Sequence, residues 1–259
     1  MSKQKTTLPI AVQLYTLRNL TLSLDEVLAQ VAAIGYDGVE AIGDHGLSAE
    51  AMQALLRKHS LQAVSTHVGL PALESNLDGI VAFHQAIGNH VLTIPALPGD
   101  RRPADGPGWQ QLGRELDALG KRCAAAGMQL LYHNHAWEME VYGGQRAIDW
   151  MLGAADPRHL QWEPDLAWIV RGGADAEQML AQYTGRCPRI HVKDLSPAGE
   201  NEEEKGFADV GFGTLNWATL LPACQAAGAS WLIVEHDWPV DAIRTIRRSY
   251  EFLRDQLRA

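Results

Sequence analysis

Cysteine is scarce in this sequence, with three among 259 residues. Cys123, Cys187 and Cys224 lie far apart and form no Cys-x-x-Cys pair, which excludes a disulfide framework and indicates buried free thiols in a reducing compartment. No apolar run approaches the length of about eighteen residues that crosses a membrane, and the apolar stretch near the N-terminus is too broken for a secretory signal. We therefore expect a soluble, cytoplasmic protein without a membrane partner.

Positive charge is also in short supply. The chain has 22 Lys and Arg against 31 Asp and Glu, which gives a formal net charge of −9 at pH 7. Proteins that bind nucleic acid gain most of their affinity from clustered Lys and Arg that neutralise phosphates. A nucleic-acid partner is therefore not expected, and a small polar substrate suits this charge better.

One pattern occurs four times: an Ala-rich helix end, a glycine and a short apolar run. The copies are "VAAIGYDGVEAI", "HQAIGNHVLTIPA", "CAAAGMQLLYH" and "CQAAGASWLIVE". Glycine readily adopts the left-handed conformation that ends a helix, so each copy predicts a helix, a stop and a strand. The runs "IAVQLY", "QAVSTHV", "HLQWEP" and "RIHVKD" raise the number of strands to eight. Helix-length segments separate them, one of them starting with the capping box Ser23 and Glu26.

Eight near-continuously apolar strands that alternate with helices predict a (β/α)8 barrel, the TIM barrel, which also fits the length of the chain. The alternative is an open doubly wound sheet, which usually has a Gly-rich phosphate turn after its first strand. "LYTLRNL" is no such turn, so we prefer the barrel. Because no Pro-, Gly- or Ser-rich linker divides the chain, we expect a single domain over residues 1–259, compatible with a homo-oligomer.

Polar residues gather where the predicted strands end, which is the active face of such a barrel. They are Gln13, Tyr15, Glu40, Thr66, His67, His133, His135, Glu163, Asp165, His191, Lys193, Asp194, Glu235, His236 and Asp237. A lone polar residue at a strand end more often anchors a loop, so Glu40 and His67 are candidate substrate contacts only. Trp137, Trp168 and Trp238 lie beside the polar cluster and fit either the core or a wall that holds the apolar faces of a sugar.

The stronger signal is a set of four residues. Asp165, His191 and Glu235 follow three successive strands, and His133 ends the strand before them. Two carboxylates and two imidazoles in one pocket need a cation to neutralise them. Nitrogen and oxygen ligands without thiolate suit Mn²⁺, Mg²⁺, Co²⁺ or Zn²⁺. The set therefore predicts one divalent metal ion.

The motifs resemble those of the sugar phosphate isomerase and epimerase family, whose barrels are similar to xylose isomerase. The resemblance covers essentially the whole chain and rests on "VQLYTLR", "GYDGVE", "YHNHAWEM", "DLAWIVRGGAD", "IHVKD", "GFGTLNW" and "IVEHDW". It implies one divalent metal, manganese in the first place, held by an acidic residue on strand five, Asp on strand six, His on strand seven and Glu on strand eight. Asp165, His191 and Glu235 would take the last three places.

Strand five departs from the family pattern. Counting six residues from Gly127 leads to His133 where the epimerases have a glutamate, and the "YHNH" segment is also similar to inosose dehydratases. We favour His133 as the fourth ligand because its position on the strand is fixed, with Glu138 from the following loop as the alternative.

The resemblance implies a metal-dependent sugar isomerase or epimerase that works through an enediolate, formed when a base removes the proton next to a carbonyl. Glu235 is the first candidate for that base, and His133, His135 and Glu138 follow it. Candidate substrate contacts are Tyr15, Glu40, His67, His135, Trp168 and Lys193. Lys193 shares a strand face with His191 and is suited to polarise an oxygen or hold a carboxylate or phosphate.

Other reactions stay open. An epimerase needs a second base on the opposite face of the enediolate, whereas an isomerase or a lyase needs one. A keto-sugar or inosose dehydratase, or a lyase, on the same barrel is therefore the main alternative. Less favoured are an abasic-site endonuclease, which would need more metal ligands, and a sugar-binding barrel without activity.

Overall fold

The computed structural model describes residues 8–258, and its centre is one sheet of eight parallel strands. We number them in chain order: β1 Ile10–Gln13, β2 Gly38–Ile42, β3 Gln62–His67, β4 Val91–Ile94, β5 Gln129–His133, β6 Leu160–Glu163, β7 Arg189–Val192 and β8 Trp231–Val234. All eight coincide with the apolar runs picked from the sequence. The predicted alternation of strands and helices is therefore confirmed.

The sheet curls into a nearly closed barrel. Its strand order is β6-β5-β4-β3-β2-β1-β8-β7, so β6 and β7 are the two edges that must meet. They do so through a parallel bridge between Asp165 and His191 and through the His191 amide, which donates to Pro164 O at 2.9 Å. The predicted (β/α)8 barrel is thereby confirmed, and its closing contact lies among the candidate site residues.

Nine helices are described around this barrel. They are α1 Leu24–Ile34, α2 Ala49–Lys58, α3 Leu70–Ala86, α4 Gly106–Ala125, α5 Ala147–Gly153, α6 Leu166–Arg171, α7 Ala176–Gln182, α8 Trp217–Ala226 and α9 Ala242–Arg258. The start of α1 has the predicted capping box, in which Ser23 and Glu26 satisfy each other's backbone amides. Among the described residues, no helix has the length and apolar character needed to cross a membrane.

Two hairpins extend the barrel at its C-terminal end. One pairs Val141–Tyr142 with Gln145–Arg146, and the other pairs Asp194–Leu195 with Phe207–Ala208. The main core lies between the strands and the helices, and the three cysteines are buried there as free thiols, as predicted.

Alternate residues on a strand point to the same face, and this decides what fills the barrel. Ala11 and Ile233 belong to a small apolar cluster, and two residues further along the same strands come Gln13 and Glu235. The interior therefore changes from apolar to polar towards the C-terminal ends of the strands. This gradient places the polar side chains at one end.

The close packing of α4 depends on glycine. A Cβ atom on Gly120 would overlap the carbonyl oxygen of His159, and one on Gly113 would overlap that of Met151. Backbone cannot move aside as easily as the end of a flexible side chain, so these two glycines fix the distance between α4 and the segment from α5 to β6.

We predict that Gly120→Ala lowers the free energy of unfolding by about 1–3 kcal/mol, the usual cost of overpacking. Urea denaturation followed by circular dichroism measures this. Gly153→Ala is the matched control, because a Cβ there meets nothing within 4 Å and alanine favours the helix by about 0.5–1 kcal/mol. Equal stabilities for the two variants would contradict this account of the packing.

Candidate active site

Four of the predicted residues meet at the C-terminal end of the barrel. His133 ends β5, His191 lies on β7, and Asp165 and Glu235 directly follow β6 and β8. One potential ligand atom from each lies within 4.8 Å of all the others, and all four side chains are buried. The barrel thus brings together the set predicted to hold a metal ion; we call it the metal quartet.

Lys193 lies against the same carboxylates. Its Nζ is 2.8 Å from Asp165 Oδ2, 2.9 Å from Glu235 Oε2 and 2.8 Å from Asp237 Oδ2. The side chain has no exposed surface. Burial alone would lower the pKa of Lys193, but these three carboxylates raise it well above its usual value. The lysine is therefore a buried cation that compensates the acids of the site.

A second layer of polar residues supports the quartet. Glu40 and Glu163 are fully buried, and Nε2 of His191 lies 2.7 Å from Glu40 Oε2 and 3.2 Å from Glu163 Oε1. His67 Nε2 lies 3.1 Å and 3.0 Å from the same two oxygens. Together with His133 and His191, His67 and Glu163 form a second group with metal-ligand spacing.

The charges of this layer follow from burial and pairing. Burial lowers the pKa of His67, but Glu40 and Glu163 more than compensate and raise it to about 10. His191 behaves in the same way, and its pKa is raised well above the usual value. The carboxylates near His133 are more distant, with Glu163 Oε1 at 3.6 Å and Asp165 Oδ2 at 3.9 Å, so burial and the neighbouring His191 outweigh them and hold its pKa well below the usual range. His133 is therefore a neutral imidazole, which is the form that binds metals.

The burial, spacing and donor types of the metal quartet fit a divalent ion. Asp165 Oδ2 is buried with no well-oriented hydrogen-bond donor, although Lys193 Nζ lies 2.8 Å away, and His133 Nε2 faces this oxygen at 3.9 Å. Buried polar atoms of native proteins are rarely left unpaired, and an ion at the centre of the cluster would satisfy both. Two imidazoles and two carboxylates, with no thiolate, form a donor set for Mn²⁺ or Zn²⁺.

Glu138, the alternative fourth ligand, lies elsewhere. Its Oε1 accepts a 2.6 Å hydrogen bond from the Tyr132 hydroxyl, and its Oε2 accepts a 2.7 Å bond from the His135 amide. Burial raises the pKa of Glu138 to about 7. The carboxylate holds the loop after β5 in shape and does not join the quartet, so the geometry favours His133 over Glu138.

A cavity of about 430 Å³ opens above the quartet. Its lining comprises Tyr15, Ile42, His67, Gly69, Pro95, Ala96, His133, His135, Trp137, Trp168, Glu235, Asp237 and Trp238. Trp137, Trp168 and Trp238 all line the cavity, and Trp137 and Trp168 also pack against the hydrophobic core. His135 stacks on Trp137 with ring centroids 4.2 Å apart, and its pKa falls to about 3 because it is buried.

The predicted substrate contacts divide into two groups. Tyr15, His67, His135 and Trp168 line the cavity, whereas Glu40 and Lys193 are buried outside its lining. Glu40 supports His191 from below, where Gln13 Nε2 also donates to it at 2.6 Å. The structure therefore separates residues that face the cavity from residues that hold the site together.

Glu163 and Asp237 are among the polar residues at the predicted strand ends, but the sequence assigned neither of them a role in the site. Glu163 contacts three histidines of the cluster, and Asp237 lines the cavity with a pKa that burial raises to about 6. Their spacing indicates that role, since Glu163 is two residues before Asp165 and Asp237 is two residues after Glu235.

Inosose dehydratases are among the curated proteins that this chain resembles in sequence. An inosose dehydratase from Lacticaseibacillus casei is 29% identical over 140 residues, which cover 49% of this chain and 46% of the dehydratase. The chain therefore spans about half the length of the curated relative that it matches. A further inosose dehydratase, from Clostridium botulinum, is 22% identical over 68% of this chain and 64% of its own length.

Solved structures share the fold. A sugar phosphate isomerase/epimerase from Parabacteroides distasonis superposes with a TM-score of 0.79 at 18% identity, over 95% of this chain and 97% of that one. The IolI protein, whose structure contains a bound zinc atom, gives a TM-score of 0.74 at 15% identity, over 96% and 98% of the two chains. The family described as xylose isomerase-like TIM barrel matches residues 28–256. This chain therefore belongs to the xylose isomerase-like TIM barrel family.

Proposed function

We propose that the protein is a metal-dependent enzyme, formed as a single barrel domain, that removes a proton from the carbon next to a carbonyl group of a sugar or cyclitol. One observation carries the proposal: the metal quartet lies at the floor of a cavity that Glu235 and His133 line. A single carboxylate base would remove the proton, and the substrate would then lose water or isomerise.

His133, Asp165, His191 and Glu235 would hold the ion. When bound, it would supply Lewis-acid stabilisation of the negative charge that develops on the substrate oxygen. Manganese is the proposed ion on the basis of the sequence motifs, and the zinc atom bound to IolI makes zinc the alternative. Glu40 of the second layer and Glu235 of the quartet fix the orientation of His191, since they lie 2.7 and 2.9 Å from its two ring nitrogens.

Glu235 is the proposed base. It lines the cavity, and although burial raises the pKa of its carboxyl, Lys193 and His191 more than compensate and keep it well below the usual value. Before metal binds, the group is therefore an ionised carboxylate that is able to accept a proton. Asp237 is its neighbour in the cavity and contacts the same Lys193 ammonium.

The arrangement supports chemistry with one base. Glu235 and Asp237 come from the same strand end and share Lys193, so both would approach a substrate from one side. Glu138, the candidate for an opposing carboxylate, is held by Tyr132 and the His135 amide. Epimerisation between two carboxylates is therefore less well supported than dehydration or isomerisation, and the relation to inosose dehydratases favours dehydration.

Metal analysis tests the ligand set. We predict one divalent ion per chain in the dialysed protein, measured by mass spectrometry of the metal content, and its loss in His133→Ala and Asp165→Ala. Glu138→Gln is the control and should keep the ion, because that carboxylate is bound outside the quartet. Loss of the ion in Glu138→Gln together with full occupancy in His133→Ala would reverse the assignment of the fourth ligand.

Proton exchange tests the base. We predict that Glu235→Gln slows exchange of the proton next to the carbonyl of an inosose in D₂O by about 10²- to 10⁴-fold, the usual effect of losing a positioned base. Nuclear magnetic resonance measures this exchange, with the metal content of the variant determined in parallel. A folded, metal-loaded Glu235→Gln protein that exchanges at the wild-type rate would exclude Glu235, and Asp237→Asn would then be the variant to compare.

A further inference from the structure

We propose that the mouth of the cavity is a subsite for an aromatic or other flat apolar group, so that the substrate is a neutral carbohydrate bearing an aryl substituent and not a free or phosphorylated sugar. This inference rests on the proposed function for the polar part of the substrate. The polar end would face the quartet, and the substituent would extend towards solvent.

The cavity has two chemically different ends. Glu235 and His133 at its floor are 4% and 2% exposed. At its mouth Tyr15, Ile42 and Trp238 are large apolar side chains with 39%, 36% and 42% of their surface exposed. A cluster of exposed, large apolar side chains at the mouth of one cavity is typical of a ligand-binding site. An aryl group attached to a sugar at the floor would cover these exposed side chains.

The rings at the mouth are held in place from outside. The guanidinium of Arg18 lies 3.7 Å from the centroid of the Tyr15 ring, and Phe207 stacks under Trp238 at 5.9 Å with an interplanar angle of 22°. Each ring is therefore supported before any ligand binds, and its remaining surface lines the cavity. Such preorganised aromatic surfaces hold a flat ligand at little cost in conformational entropy.

Trp137 is fixed more firmly still. It lies between His135, at 4.2 Å, and the guanidinium of Arg102, at 3.7 Å, so both of its faces are covered. It supplies a rigid edge to the cavity and not a stacking surface. The stacking role thus falls to Tyr15 and Trp238.

Charge argues against a phosphorylated substrate. Within residues 8–258, no Lys or Arg side chain lines the cavity, while Glu235 and Asp237 do. The arginines nearby are engaged: Arg18 donates to Asp237 O at 2.5 Å and Arg102 to Leu97 O at 3.3 Å. Lys193, which the sequence suggested for a phosphate, is buried among three carboxylates. A dianionic group would find no Lys or Arg side chain in this lining to pair with.

Equilibrium binding tests the subsite without requiring turnover. The full-length, metal-loaded protein is titrated calorimetrically with phenyl β-D-glucopyranoside, methyl β-D-glucopyranoside and glucose 6-phosphate. We expect the phenyl glucoside to bind roughly tenfold more tightly than the methyl glucoside, because stacking and burial of the ring add to affinity. Glucose 6-phosphate should bind more weakly than either glucoside.

The variants assign the effect to residues. Trp238→Ala and Tyr15→Ala should each reduce the phenyl-to-methyl ratio to near one, and Trp238→Phe should restore most of the ratio. Phe212→Ala is the matched control, because Phe212 is an exposed aromatic residue, 52% accessible, outside this cavity.

Three results would overturn the proposal: equal affinity for the two glucosides in the wild type, tighter binding of glucose 6-phosphate, or no measurable binding of the phenyl glucoside up to its solubility. An unchanged ratio in both alanine variants would do the same. Failure of the proposed function looks different, since it would appear as unaffected proton exchange in Glu235→Gln while the preference for the phenyl glucoside persisted.

Discussion

The site depends on compensation of charge inside the barrel. Five carboxylates, those of Glu40, Glu163, Asp165, Glu235 and Asp237, are buried at the C-terminal ends of the strands, where water does not screen them. An isolated buried carboxylate is costly, so each must have a cation or a donor nearby. His67 and His191 compensate the inner pair, and Lys193 contacts the outer three. Two ion pairs, His191 with Glu163 at 3.2 Å and Lys193 with Asp165 at 2.8 Å, also connect the β7 segment to the β6 segment, beside the backbone bonds that close the barrel.

The charges of these side chains determine what must change when a metal ion binds. Lys193 lies against the oxygens of Asp165 and Glu235, which are two of the four proposed ligands, so the ammonium and the ion compete for the same charge. His191 must also give up a proton before a ring nitrogen can coordinate, because Glu40 and Glu163 hold its pKa well above the usual value. His133, neutral already, is the ligand that needs no such change. A histidine at the place where the resemblance implies a glutamate would leave one negative charge fewer in an already acidic cluster.

Much of this could be predicted from the sequence. The helix stops at glycine and the apolar runs predicted all eight strands, and the residues that follow those strands predicted the quartet, since parallel strands end at one edge. The sequence could not predict which of these side chains face the cavity and which are buried beneath it. Glu40 and Lys193 have the residue types of substrate contacts, yet the inward direction of their side chains buries them beneath the cavity. Glu138 is the second example: its partners Tyr132 and the His135 amide depend on the path of a loop that no spacing rule describes.

The most direct test of the account is the position of the ion. Crystals of the manganese-loaded protein, measured at the manganese absorption edge, would locate it by anomalous scattering. The account predicts a single peak at about 2 Å from one atom each of His133, Asp165, His191 and Glu235, with Glu138 still bound to Tyr132. A peak bound instead by His67 and Glu163 with Glu235 free, or no peak in the barrel, would contradict it.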